Sequence, residues 1–341
     1  MTRARLAGAI AIMGALVAAA PCARAEPVTL RLASVAPDGT AWARELKAFG
    51  REITGSTHDE VQVKWYLSGI AGDELQSHER VQRDQLDGIL SGGMLCQRLA
   101  PSMRAAGMAG EFRDRDEAHY VMGRLKPIVD QEFAKAGYVD VATAGIGFSV
   151  FFSRKPVHSM ADLKRLKPWL WSLDEVLGTH LAAMGLNVVP LSIEGSVHAF
   201  DDGKVDSFVG LPSAALAFQW STQARYVMDL RVGYLTGCML LSRRAWDALG
   251  HEDQQVIESA AAKLQMRLQD ATRQMDESLL GGLFAKQGLQ NVPVPPALQA
   301  EFTAAARDAQ KQAAQLTPPG TLERVAAWLA EYRSSHQSER H

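Results

Sequence analysis

The chain has 341 residues, 47% of them hydrophobic and 22% charged, with a formal net charge of −2. That near balance, with no basic run, argues against a nucleic-acid partner. After the first twenty residues no segment is apolar over the roughly twenty positions that a membrane-spanning helix needs.

Arg3 and Arg5 precede an apolar stretch from Leu6 to Ala20, and Ala23-Arg24-Ala25 places small residues where a signal peptidase cuts. Residues 1–25 are therefore assigned as a cleaved signal peptide, the mature chain starting near Glu26 and residing in the periplasm. Pro21 stands where a lipobox requires Gly or Ala, which argues against lipidation of Cys22. Cleavage leaves about 316 residues, enough for two domains, and a charge of about −5. Cys96 and Cys238 remain, far apart in sequence; buried thiols are the expectation, and a bridge is the open alternative in this oxidising compartment.

Val28–Ser34 alternates apolar and polar residues and runs into Pro37-Asp38-Gly39-Thr40, the pattern of a strand feeding a helix that starts near Ala41. A second strand is predicted at Val61–Tyr66, and helices at Asp73–Gln85 and Asp114–Lys135 enclose a short apolar strand at Gly88–Gly92. This alternation predicts an α/β fold with a mainly parallel sheet. After Gly137, Tyr138–Ala142 and Phe148–Phe152 read as two strands flanking Gly145-Ile146-Gly147. Ser159–Asp162 opens a short helix, and Ser172 with Glu175 forms a capping box for another that runs to Met184. A strand at Asn187–Pro190, a helix at Gly195–Asp202 and a strand at Val205–Val209 complete a second α/β unit. From Glu252 to Gln287, apolar residues recur at spacings of three and four, which predicts one long amphipathic helix weakened at Gly281-Gly282. A strand at Gln290–Val294, one or two helices and a polar tail from 334 to 341 follow.

Several segments resemble, in order and spacing, the periplasmic solute-binding subunits of TRAP (tripartite ATP-independent periplasmic) transporters, the DctP-like family. They are Leu32–Trp42, Phe112–Ala118, Lys155-Pro156-Val157 with Asp162-Leu163-Lys164, Ala199-Phe200 with Gly203–Asp206, and Ser242–Trp246. The resemblance implies a two-lobed fold of the periplasmic binding protein type II kind, its lobes joined by crossing strands and a long helix. Under it, residues 26–137 and 232–250 form lobe I, 138–231 lobe II, 251–288 the helix spanning both, and 289–333 a C-terminal strand and helices. It also implies a membrane permease as partner and no cofactor.

The departures concern the ligand clamp. Where the family carries an arginine in the segment Leu166–Ser172, this chain has Trp169. A second arginine position aligns with Phe148, and a customary asparagine with Gly210. Paired, charge-assisted arginine contacts hold carboxylates efficiently, and aromatic rings do not replace them. The expected ligand is therefore apolar or aromatic, a lipid or a hydrophobic organic acid. The candidate ligand-binding residues are Trp169, Trp171, Phe148, Gly210, Trp42, Ser172, Gly93, Met94 and Trp220. A strand places Trp169 and Trp171 on one face. Core packing is the competing role for the aromatic residues, helix capping for Ser172 and a tight turn for Gly93. The variant resembles a subgroup that works beside a periplasmic tetratricopeptide-repeat protein.

No histidines fall at metal-ligand spacing, Gly145-x-Gly147 is not a dinucleotide loop, and no G-x-S-x-G elbow exists, so no enzyme and no metal is expected. Two further readings stay open: a lipid shuttle or chaperone without a permease, and an ordinary carboxylate receptor with a relocated anion anchor.

Overall fold

The computed structural model describes residues 26–337. The signal peptide assigned to 1–25, Cys22 and residues 338–341 of the polar tail lie outside them.

Val28–Ala33 (β1) and Val61–Tyr66 (β2) pair in parallel, and Gly88–Ser91 (β3) joins the other edge of β1. The helices between them start at side-chain caps: Thr40 accepts from the Ala43 amide, and Asp73 forms a reciprocal capping box with Gln76. A second trio is built alike from Pro168–Trp171 (β5), Val189–Leu191 (β6) and Ser207–Gly210 (β7), with β5 parallel to both neighbours.

Two long antiparallel strands join the trios, Tyr138–Ser153 (β4) and Tyr226–Ser242 (β8). The sheet order is β2-β1-β3-β8-β4-β7-β5-β6, and the short strand Gln290–Asn291 (β9) lies beside the start of β8. Along β8, Cys238–Leu241 pairs with β3; at the far end of β4, Val150–Ser153 pairs with β7. Both lobes are thus continuous through β4 and β8. The two strands expected around Gly145-Ile146-Gly147 are one sixteen-residue strand with register shifts at 140/142, 145/147 and 149/151. The glycines permit this because the sheet is crowded there: a Cβ on Gly145 would lie 2.2 Å from the Tyr234 hydroxyl.

The long helix spans His251–Ser278 and continues through a wide turn at Leu279–Leu283, where Gly282 has φ 139°, into Phe284–Lys286. Its Ile257, Ala260 and Leu264 pack on Leu46 and Phe49 of lobe I. Lobe II closes around Phe152 and Phe208, stacked at 4.5 Å, with Trp169 and Phe284 against them. Each such side chain contributes roughly 1.5–3 kcal/mol on burial. Among the described residues no helix is long and apolar enough to cross a membrane.

Two expectations are corrected. Cys96 and Cys238 are joined in a disulfide, their Cα atoms 5.9 Å apart. The helix Glu175–Ala183 is capped by Asp174, which accepts from the Leu177 amide, and not by Ser172. The Ser172 amide donates to the Leu191 carbonyl at the end of β6, so the chain is still paired with the sheet at that point and the helix begins later.

Candidate functional site

A cavity of about 220 Å³ opens between the lobes. Both crossing strands supply its floor, β5 and the turn after β7 one wall, the start of lobe I the other, and the long helix closes one side.

Trp169 is 2% exposed and belongs to the lobe II core, yet it also lines the cavity. Its indole N–H donates to the Leu191 carbonyl at 3.2 Å, and its ring meets Trp220 edge-on at 4.7 Å. Trp220 in turn stacks on Phe218 at 4.7 Å. Core and wall are therefore the same aromatic cluster, seen from two sides. Trp171 also lies on the cavity, with Leu170 between the two tryptophans contributing to the lining as well. Trp42 faces them from lobe I, its indole N–H held 3.0 Å from the Thr272 hydroxyl of the long helix. Met94 and Gly210 also line the space. At Gly210 a Cβ would find no atom nearer than 3.8 Å, so the missing side chain leaves room that belongs to the cavity.

Phe148, Ser172 and Gly93 are not on the lining. Phe148 is buried against Tyr234 at 4.9 Å, with the Arg231 guanidinium over its ring at 5.0 Å. The cause is the register shift at Ile146: the extra residue reverses the alternation, so Ala142, Ala144 and Ile146 face the cavity before it and Ser149 after it. Ser172 is exposed in the turn beyond β5. Gly93 has φ 131°, and a Cβ there would lie 2.6 Å from the Thr236 carbonyl, so glycine is needed for backbone approach to β8. The amides of Gly92 and Gly93 are already used, donating to Glu74 and to the Ser91 hydroxyl.

The charges around the cavity are unusual. Among the described residues no Lys, Arg or His lines it, but two carboxyls do, Glu74 and Asp174. Burial pushes the Glu74 carboxyl up, opposed by donors from Ser91, Leu95 and Gly92. Burial pushes Asp174 up to about 6, opposed only by the Leu177 amide. The nearby guanidinium of Arg115 is committed elsewhere: it donates to the Ile146 carbonyl at 2.9 Å and to Asp276 at 3.3 Å, and Asp276 also accepts from the Ser213 amide. Arg115 thus pins the β4 bulge to the long helix from behind the wall.

Periodicity did not indicate Glu74, Asp174, or the long-helix residues Gln265, Gln269 and Thr272 as lining. Polar residues on the buried side of a helix interrupt its apolar stripe, and that interruption was the available signal.

The sequence from 32 to 316 matches the family described as DctP, bacterial extracellular solute-binding protein, family 7. The chain belongs to that family. A solute-binding protein of Chromohalobacter salexigens is 20% identical to this DctP-family chain over 256 residues, covering 74% of this chain and 76% of the relative. Among solved structures, a TRAP periplasmic solute-binding protein of Desulfovibrio desulfuricans with bound sn-glycerol-3-phosphate superposes with TM-score 0.82 at 16% identity, covering 90% of this chain and 97% of that one. One from Roseobacter denitrificans with bound L-galactonate gives 0.77 at 20% identity, covering 88% and 98%. This member therefore has the two-lobed binding-protein fold and is a solute-binding receptor rather than an enzyme.

Proposed function

We propose that this DctP-family protein is the periplasmic receptor of a TRAP transporter that captures a largely apolar or aromatic molecule between its lobes and presents it to the membrane permease. The observation that carries this reading is a wall containing four tryptophans and no cationic side chain among the described residues. Trp42, Trp169, Trp171, Trp220, Met94 and Gly210 are proposed as ligand contacts. A carboxylate brought into such a space exchanges water for no charged partner, a cost of several kcal/mol. Two or three ring contacts, at roughly 1.5–3 kcal/mol each, favour an apolar guest instead. A periplasmic tetratricopeptide-repeat partner belongs to the same reading.

The carboxylate reading is favoured by the solved structures of similar fold: the Roseobacter protein holds L-galactonate, and others hold D-erythronate and orotic acid. A thermal-shift panel separates the two. Stabilisation is expected from long-chain or aromatic compounds and not from succinate, malate or galactonate. Stabilisation by those acids alone would overturn the apolar reading. In the same panel, Trp169→Arg should lose the apolar guest, whereas unchanged binding would remove Trp169 from the site. A permease gene pair beside this gene supports transport; its absence favours the permease-free shuttle.

A further inference from the structure

An apolar pocket still has to receive whatever polar end its guest carries, and most of the polar groups at this cavity are already satisfied within the protein. Both oxygens of Glu74 are occupied, one by the Gly92 amide and the other by the Ser91 hydroxyl and the Leu95 amide. Thr272 accepts from Trp42 and donates to the Leu268 carbonyl, and Gln269 donates to the Gly145 carbonyl. Asp174 differs. One of its oxygens, Oδ1, caps the helix through the Leu177 amide at 3.1 Å, and the second has no partner in the structure. It lies in the lobe II wall beside Trp171 and Leu177; among the described residues the other uncommitted polar groups of the lining, Ser149, Gln265 and the indole N–H groups of Trp171 and Trp220, are all neutral.

We propose that the guest is an amphiphile whose polar end is a protonated amine, received by the free carboxylate oxygen of Asp174 while its apolar body lies against the tryptophans. The proposal rests on the apolar reading of the cavity and extends it to the polar end. A carboxylate with one open oxygen, in a wall with no cation among the described residues, attracts a cation and repels an anion, and its partial burial strengthens both effects. Burial alone holds the Asp174 acid high, to about 6, and an ammonium group at its open oxygen would relieve that cost.

The test compares near-isosteric probes by calorimetry on the mature protein at neutral pH: phenylpropylamine, phenylpropanol and phenylpropanoate, and the ten-carbon set decylamine, decanol and decanoate. In at least one set the amine should bind about tenfold or more tighter than the alcohol, with the acid weakest, as expected for one charge-assisted hydrogen bond. Asp174→Asn preserves the cap, because asparagine serves as well as aspartate there. It should abolish the preference for the amine and leave alcohol affinity within about threefold. An amine no tighter than its alcohol, or a preference that survives Asp174→Asn, overturns the assignment while leaving the apolar reading standing. If no member of either set binds while galactonate does, the apolar reading fails and the amine assignment falls with it.

Discussion

Asp174 shows how one residue acquires two roles. It caps a helix because its backbone stands outside the helical region, at φ −85° and ψ 69°, and its carboxylate reaches the third amide, and it faces the cavity because that helix begins at the cavity wall. Burial raises its folded-state pKa to about 6, above the unfolded value of about 4. The folded protein therefore binds the extra proton between those values, so this contribution to stability is complete below about 4 and is lost as pH rises through about 6. Asn carries no such titration. The melting temperature of Asp174→Asn relative to wild type should accordingly climb between about pH 4 and pH 7. A difference flat across that range would show that Asp174 keeps an ordinary pKa.

Glycine gives a second contrast at this scale. Gly93→Ala places a Cβ 2.6 Å from the Thr236 carbonyl in a backbone region that only glycine occupies easily, and should cost roughly 2–3 kcal/mol in urea denaturation. Gly210→Ala meets only ordinary contacts and should cost less than about 1 kcal/mol while narrowing the cavity. The sequence presents both simply as glycines. The distinction comes from neighbours more than a hundred residues away for Gly93 and from open space for Gly210.

Among the elements, β4 decides most. The resemblance aligned Phe148 with a clamp position, but the bulge at Ile146 reversed the alternation and sent Phe148 into the core. Arg115 holds that bulge by its carbonyl and ties it to Asp276 of the long helix. Arg115→Met should cost roughly 2–4 kcal/mol, somewhat below the range for a fully buried pair because Arg115 is partly exposed. Adding Asp276→Asn should recover part of that loss, since no uncompensated charge is then left buried. Strictly additive losses in the double variant would indicate that the pair is not coupled. The long helix was legible from its spacing, and its turn at Gly281-Gly282 from the two helix-weakening residues. Thr272 and Asp276 on its buried side were not, because their partners Trp42, Ser213 and Arg115 lie on other elements.

At the scale of the whole molecule, the Cys96–Cys238 disulfide closes a loop of sequence separation 142. Cys96 precedes β4, and Cys238 lies on β8 where that strand has returned beside β3, so the excursion of the chain through the second trio is enclosed between them. A loop that long places the bridge among the more stabilising ones, at roughly 3–5 kcal/mol on the chain-entropy account. Replacing both cysteines with serine should lower the urea midpoint by a corresponding amount, and a reductant should then have no effect on the variant. An equal response of wild type and variant to reductant would place the effect elsewhere.

By itself, the sequence determined the α/β class, most element positions and the family pattern, because strand alternation, caps and helix spacing are local and repeat within a few residues. Only the tertiary structure decided that Cys96 meets Cys238, that Trp169 is both core and wall, that Phe148 turns away, and that two carboxyls, with no cation among the described residues, face the cavity. Those outcomes depend on register across β4 and β8 and on packing between residues far apart in the chain, which no local period encodes.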